Sequence, residues 1–232
     1  MIIGHIGARG GSKGLPNKNF RMMHGRPLID WSLEMLLQHQ KIDAVIVSTD
    51  DNAIYDHALT KGAVDIGLRP DHLSDDTASK WSVWQDSLQK AEQVCGQVSL
   101  FVDLDCTSPL RDADDITDAI DLFETEQPDM VMSCCHARKN PYFNMVELTK
   151  DGALEISKPL NQPIVSRQTA PIVYEHAAST YVLQPDYLKK ASSLFEGRVI
   201  PYLMPIERCH DIDSLEDFEL VEFLMGKKLK RA

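Results

Sequence analysis

Four short runs of the sequence are apolar at consecutive positions, and this pattern limits the fold more than any other feature of the chain. Amphipathic stretches of helical spacing separate the runs. Strands that are apolar on both faces are typical of a parallel sheet covered by helices on each side. The sequence therefore predicts a doubly wound, mainly parallel α/β sheet of the Rossmann-like kind. The predicted strands are Ile2 to Ile6, Ala44 to Ser48, Leu100 to Leu104 and Met130 to Cys134.

The stretches between and after the strands predict helices, and one region interrupts the alternation. Prolines and a glycine between residues 137 and 172 break every helical pattern, which predicts an inserted arm. A further strand, Thr180 to Leu183, then resumes the core, and the whole of 1–232 is interpreted as one domain. The predicted helices are Pro27 to His39, Asp51 to Lys61, Ser79 to Val94, Asp112 to Glu126, and a last one that begins at Ser214 with a capping box.

Charge and cysteine usage exclude several classes of protein. The 24 basic and 35 acidic residues give a formal net charge of −11, which disfavours binding to nucleic acid or to an anionic membrane. No apolar run approaches the length of a membrane span and no secretion signal is recognised, so we expect a cytoplasmic protein. Five cysteines without CxxC spacing support neither a disulfide framework nor a zinc site.

A basic, glycine-rich segment, IGARGGSKGLPNKN, follows the first predicted strand and is a local exception to the acidic composition. Ligands of open parallel sheets bind beyond the carboxyl ends of the strands, where this segment lies. Glycines leave backbone amides uncovered, while Arg9, Lys13 and Lys18 add cationic groups, a combination suited to a polyphosphate. The segment lacks the Gly-Lys-Ser/Thr ending of a Walker loop and the GxGxxG spacing of a dinucleotide turn. It therefore predicts a phosphate clamp of another kind.

Six stretches in order along the chain resemble one enzyme family. They are ARGGSKGLPNKN, VSTDD, LRPDHLSDDTAS, TSPLR, SRQ and DIDSLEDFE. Together they resemble the CMP-sialic acid synthetases, the acylneuraminate cytidylyltransferases, over nearly the whole chain. The resemblance implies an enzyme that couples CTP to a 2-keto sugar acid, releases pyrophosphate and requires Mg²⁺.

The resemblance assigns residues to CTP. By position, Arg9, Lys13 and Lys18 are implied to hold the triphosphate and to assist its cleavage. Arg69 and the turn that begins at Asp76 resemble the contacts to cytidine, although Asp76 is also placed to cap the following helix. The complete set of implied CTP ligands adds Ser12, Asn19, Thr77, Ser79 and Ser108.

Three acidic residues point to the metal. Asp211 and Asp213 flank Ile212, so in an extended segment their side chains point the same way, with Cα atoms roughly 7 Å apart. Carboxylates beside phosphates suit Mg²⁺, which prefers oxygen ligands, and the family places its metal-binding acids in this stretch. Asp105 stands where sialic acid enzymes have glutamine, and it resembles the related CMP-Kdo synthetases. We expect Asp105 to join Asp211 and Asp213 around one or two ions.

The sugar pocket departs from the family. Ala177 stands where the family commonly has asparagine, which puts N-acetylneuraminate itself in doubt as the substrate. Arg167 is suited to bind a sugar carboxylate through two hydrogen bonds. Gln168, Tyr181 and Phe195 are expected to complete the pocket, and the arm of residues 137–172 corresponds to the family's dimerisation element.

The sequence thus favours a cytoplasmic, Mg²⁺-dependent, homodimeric cytidylyltransferase that acts on a nonulosonic acid. Three alternatives stay open at this point. They are a CMP-Kdo-type synthetase, an N-acetylhexosamine 1-phosphate nucleotidyltransferase, and a noncatalytic nucleotide-binding module.

Overall fold

A computed structural model describes residues 1–11, 14–75, 77–162 and 164–230 of the chain. The strands in these residues are β1 (Ile2–Gly7), β2 (Met22–Met23), β3 (Arg26–Pro27), β4 (Ala44–Ser48), β5 (Leu100–Leu104), β6 (Met130–His136), β7 (Val146–Leu148), β8 (Leu154–Ile156), β9 (Tyr174–Leu183) and β10 (Val199–Leu203). The α-helices are α1 (Leu28–Leu37), α2 (Asn52–Lys61), α3 (Lys80–Cys95), α4 (Ala113–Glu126), α5 (Pro185–Lys190) and α6 (Leu215–Leu229).

The central sheet has six strands in the order β10-β6-β9-β5-β1-β4. All neighbouring pairs are parallel except those of β9, which runs antiparallel to both β5 and β6. Separate apolar clusters cover the sheet, one including Leu33 and Ile120 and the other including Trp84 and Leu88. The predicted doubly wound, mainly parallel α/β fold is therefore confirmed.

Most predicted elements appear within a few residues of their expected ends. Side-chain caps fix two helix starts: Asp51 Oδ1 accepts from the backbone of Ala53 at 2.7 Å, and Ser214 and Asp217 form the expected capping box. β9 is longer than expected, since it begins at Tyr174. The sequence did not predict α5 or the edge strand β10, because Pro185 and Pro201 obscure the periodicity.

The arm leaves the sheet after β6 and returns as β9. The strands β7 and β8 pair within it as a small antiparallel sheet. His136, at the end of β6, pairs with Tyr174, at the start of β9, so the arm emerges at the carboxyl end of the parallel strands. No helix among the described residues is long and apolar enough to cross a membrane.

Candidate active site

A cleft of about 550 Å³ lies beyond the carboxyl ends of β1, β4 and β5. The loops after β1 and β5, residues 69–75 and 77–78, and the first turn of α3 form its walls. Its lining includes Arg9, Lys18, Asn19, Arg69, Lys80, Asp103, Asp105 and Asp213. The fold thus brings the basic segment and Asp213 to one cavity, as expected for open parallel sheets. Residues 211–213 are called the acidic segment below.

The basic loop contacts the acidic segment directly. Lys18 donates from Nζ to the carbonyl of Ile212 at 2.5 Å and to Asp213 Oδ1 at 3.3 Å. A Cβ at Gly14 would lie 2.3 Å from the carbonyl oxygen of Asp213, so only glycine permits this approach. Tertiary structure therefore brings Lys18 and Ile212, which are 194 positions apart, into contact. This contact between the basic loop and the acidic segment is called the rim of the cleft below.

Apolar packing beneath this rim fixes both partners. Leu15 of the basic loop and Ile212 of the acidic segment are buried in the same cluster as Phe218 of α6. The backbone of Ile212 donates to the carbonyl of Thr107 at 3.0 Å, and Ser108 Oγ donates to the carbonyl of His210 at 3.2 Å. The two acids that flank the buried Ile212 lie in different surroundings: Asp213 is exposed and lines the cleft, whereas Asp211 is half-buried, does not line the cleft and accepts from the backbone of Ile212 through Oδ1 at 3.0 Å.

Two further predicted CTP ligands are held in the wall of the cleft. Arg69 is buried against the end of β4, where its Nη2 donates to the carbonyl of Ser48 at 2.5 Å and its Nε to Ser48 Oγ at 3.0 Å. Burial lowers the pKa of the Arg69 guanidinium, although neighbouring acids oppose the shift. Asn19 donates from its amide to the carbonyl of Arg9 at 2.9 Å and so fixes the path of the basic loop.

The floor of the cleft carries a network that the sequence did not reveal. Lys80 Nζ lies 2.5 Å from both carboxylate oxygens of Asp105 and 3.1 Å from Asp103 Oδ2. Asp103 Oδ1 is 2.6 Å from His5 Nδ1, on the neighbouring strand β1. The ammonium also lies 4.1 Å from the centroid of the Tyr181 ring, within cation–π range.

Charge pairing fixes the ionisation of this floor. Burial works against the charged form of Lys80, but Asp103 and Asp105 outweigh it and raise the pKa of the ammonium. Burial would likewise raise the pKa of the Asp103 carboxyl, but Lys80 and His5 together hold it below its ordinary value. Lys80 is therefore a cation and Asp103 an anion at neutral pH.

The three acids expected to bind metal have different surroundings. Burial raises the pKa of the Asp211 carboxyl, and the negative charges of Asp105 and Asp213 add to the shift. Asp213 is 82% exposed, whereas both oxygens of Asp105 are paired with Lys80. Within the described part of the chain, no three acidic, histidine or cysteine side chains form a group ready to hold a metal ion.

The other residues assigned to CTP are placed less directly. Ser79 caps α3, since its Oγ accepts from the backbone of Ser82 at 3.0 Å. Thr77 is exposed and donates from Oγ1 to Asp75 Oδ1 at 2.7 Å. Neither residue nor Ser108 lines the cleft. Ser12, Lys13 and Asp76 lie outside the described residues.

Tyr181 lies under the cleft rather than in its lining. It is buried, and its hydroxyl is 2.9 Å from His176 Nε2. A bulge in β9 brings these two together, because the partners of Met132 and Cys134 on β6 are Tyr181 and His176. Ser133 fixes the bulge, since its Oγ donates to the carbonyl of Ala177 at 2.7 Å.

The structure does not bring the remaining sugar-site predictions to this cleft. Arg167 and Gln168 are exposed on the arm, where Arg167 donates to the carbonyl of Arg138 at 3.0 Å. Phe195 is 70% exposed and belongs to a loop that folds back on Tyr187, whose hydroxyl donates to the carbonyl of Leu194 at 3.0 Å. Phe195 therefore does not line this cleft, because its loop packs beside α5, and its assignment to the sugar site stays a prediction.

Sequence reasoning missed Lys80, Asp103 and His5. A signal was present, since acids at alternate positions of a buried strand, Asp103 and Asp105, lie on one face and require a cation. The cation itself lies 23 residues earlier in sequence, at the start of α3, and only the fold shows the pairing.

The comparisons with known proteins decide the family. The family model described as cytidylyltransferase matches residues 3–229. The chain belongs to the cytidylyltransferase family. This confirms the predicted CTP-dependent nucleotidyltransferase, and neither the hexosamine enzyme nor the noncatalytic module is favoured.

Two relatives are similar over nearly their full length. Post-translational flagellin modification protein B of Campylobacter coli is 36% identical, covering 98% of this chain and 96% of the relative. CMP-N,N'-diacetyllegionaminic acid synthase of Campylobacter jejuni is 34% identical with the same coverage. The match to a CMP-nonulosonic acid synthase confirms the resemblance drawn from the six motifs.

A solved structure supports the fold of this cytidylyltransferase. The structure of CMP:2-keto-3-deoxy-manno-octonic acid synthetase complexed with CTP superposes with a TM-score of 0.71 at 18% identity, and covers 98% of this chain and 99% of that one. At that identity the similarity establishes a shared fold only.

Proposed function

We propose that this cytidylyltransferase couples CTP to a nonulosonic acid of the diacetamido type, giving the CMP-sugar and pyrophosphate. The observation that carries the proposal is the rim, where the basic loop and the acidic segment close on one cleft through Lys18, Ile212 and Asp213. The similarity to a CMP-N,N'-diacetyllegionaminic acid synthase supports the choice of sugar class. Ala177, where sialic acid enzymes commonly have asparagine, agrees with a sugar other than N-acetylneuraminate.

The chemistry follows from where the charges lie. The sugar's C2 hydroxyl oxygen forms a bond to the α-phosphorus of CTP and loses its proton. The bond from that phosphorus to the bridging oxygen of the β-phosphate breaks, and pyrophosphate leaves in line. We assign Arg9, Lys18 and Asn19, which line the cleft, to the triphosphate, where the two cations would neutralise the leaving pyrophosphate, and Arg69 to the cytidine side.

A magnesium ion is part of this proposal. The donor chemistry fits at Asp211 and Asp213, which offer carboxylate oxygens on either side of Ile212, a residue fixed by burial and by its hydrogen bond to Thr107. Asp211 and Asp213 would hold the ion, which would supply positive charge against the phosphates and would make the attacking hydroxyl more acidic. Asp105 fits less well, because Lys80 contacts both of its oxygens.

We propose that the chain acts as a homodimer in the cytoplasm, where CTP is available. The arm exposes apolar side chains that a second copy would cover, among them Val146, Leu148, Leu154, Val165 and Ile172, each at least 54% exposed. Arg167 and Gln168, which are outside their own chain's cleft, would then serve the partner's sugar site. Light scattering at micromolar concentration tests this, and a monomer that is fully active would contradict it.

The experiment for the whole proposal is pyrophosphate release. It is measured with each of the four NTPs against N,N'-diacetyllegionaminate, pseudaminate, N-acetylneuraminate and Kdo, with Mg²⁺ or with EDTA. We expect release with CTP and a diacetamido nonulosonic acid, and none with EDTA. Preference for Kdo would favour the octonic acid alternative. If none of the sugar acids supports pyrophosphate release, the proposed function is contradicted.

A further inference from the structure

Lys80 contacts the carboxylate of Asp105, which the sequence analysis assigned to the metal. Its Nζ is 2.5 Å from Asp105 Oδ1 and 2.5 Å from Asp105 Oδ2, and it also contacts Asp103 Oδ2 at 3.1 Å. The contacts to Asp105 are charge-assisted hydrogen bonds, whereas the contact to Asp103 is an ion pair. A divalent ion at Asp105 would have to displace the ammonium.

The surroundings of Lys80 hold the ammonium in place. The rings of Tyr181 and Trp84 lie beneath it, with centroids 4.1 and 5.1 Å from Nζ. Lys80 is also the first residue of α3, directly after the cap Ser79, so its backbone is fixed. The cation is therefore built into the floor by packing as well as by charge.

Asp103 is the second acid that stabilises the Lys80 ammonium at the cleft floor. Asp103 is 1% exposed, and its other oxygen is 2.6 Å from His5 Nδ1, whose Nε2 is 3.0 Å from Ser87 Oγ. Without Lys80, a buried carboxylate and its neighbour Asp105 would face an anionic ligand without an ammonium between them. Like charges that have lost the cation between them are strongly unfavourable in a partly buried site.

We propose that Lys80 is the resident cation of Asp105 and a positioning residue of the cleft floor, and that Asp105 is not a magnesium ligand in this chain. Divalent metal is then held from the side of Asp211 and Asp213 alone. The inference rests on the proposed function, because it concerns the ion that the proposal places at those two acids. It differs from the expectation that three acids surround the metal.

Mn²⁺ alone is the probe, since its binding is counted by electron paramagnetic resonance without turnover. We expect Asp105→Asn to change the dissociation constant less than twofold, and Asp211→Asn, a substitution of the same chemistry, to weaken binding at least tenfold. Lys80→Met frees two carboxylates, so we expect one additional Mn²⁺ per chain. The double variant Lys80→Met with Asp105→Asn is expected to lose that additional ion.

Two results would overturn the inference: a tenfold loss of Mn²⁺ affinity in Asp105→Asn, or no additional ion in a Lys80→Met protein that circular dichroism shows to be folded. If Lys80→Met does not fold, the comparison of Asp105→Asn with Asp211→Asn still decides. Unchanged Mn²⁺ binding in Asp211→Asn has a different meaning. It would contradict the proposed metal site, while the pairing of Lys80 is judged by Asp105→Asn.

Discussion

The rim and the floor of the cleft carry charge in different ways. At the rim, Lys18 pairs with an Asp213 side chain that is 82% exposed. At the floor, Lys80 pairs with Asp103, which is 1% exposed, and with Asp105, which is 21% exposed. Water replaces a lost partner at the rim but not at the floor. The difference indicates that rim charges are available to ligands, whereas floor charges keep each other in place.

The largest expected effect comes from Asp211, one of the two acids proposed to hold Mg²⁺. Asp211→Asn keeps the shape of the side chain but removes the negative charge that the proposed Mg²⁺ requires, so we expect kcat to fall about 1,000-fold, or about 4 kcal/mol. Pyrophosphate release measures the loss, and thermal unfolding should change little. Asp56→Asn, an exposed acid on α2, is the matched control and should retain full activity. An active Asp211→Asn enzyme would refute the assignment.

A smaller effect is expected from a substitution that pushes the basic loop away from the acidic segment. Gly14→Ala places a methyl group 2.3 Å from the carbonyl oxygen of Asp213, so the basic loop has to move away from the acidic segment. Overpacking of this kind costs about 1–3 kcal/mol, and we expect kcat/KM to fall at least tenfold. Gly11→Ala is the control, because a Cβ there meets nothing within 4 Å. Equal losses in both variants would show that the contact at Asp213 is unimportant.

Lys80→Met tests the floor through stability. Removing the ammonium leaves Asp103 buried with His5 as its main partner, and we expect the free energy of unfolding to fall by about 2 kcal/mol. The figure lies below that for a fully buried pair because Lys80 is 36% exposed. Urea unfolding measures it. Addition of Asp105→Asn should restore part of the loss, and a double variant less stable than Lys80→Met would contradict the pairing.

The smallest expected effect concerns Lys18 at the rim, whose partner Asp213 is exposed. Lys18→Met should raise the KM for CTP about tenfold, since one charged contact to phosphate is worth about 1.4 kcal/mol. The unfolding free energy should change by less than about 1 kcal/mol, because water replaces the lost ammonium at the exposed Asp213. Steady-state kinetics and urea unfolding on the same sample give both numbers. A stability loss as large as that of Lys80→Met would remove the distinction between rim and floor.

Much of the fold was predictable because local chemistry and global structure agree. Apolar runs such as Ala44–Ser48 and Leu100–Leu104 became buried strands at their predicted bounds. Helix starts followed their caps at Asp51 and Ser214. Short elements containing proline, α5 and β10, carried too little periodic signal, and their packing against larger elements determines them.

The candidate site was predictable in part. Arg9, Lys18, Arg69 and Asp213 line the cleft that the motifs indicated. Tyr181 and Phe195 do not line it. Whether an aromatic side chain lines the cleft depends on which side of β9, or of its loop, the side chain points to. Pairing across the sheet decides that, and local spacing does not.

The sequence by itself determined the parallel α/β sheet, the position of the basic loop and the family, because periodicity and ordered motifs are properties of the chain read in one dimension. Only the tertiary structure decided which charges meet. Lys18 reaches Asp213, and Lys80 reaches Asp105. Coulomb energy depends on distance in space and on burial, and neither is encoded by separation along the sequence.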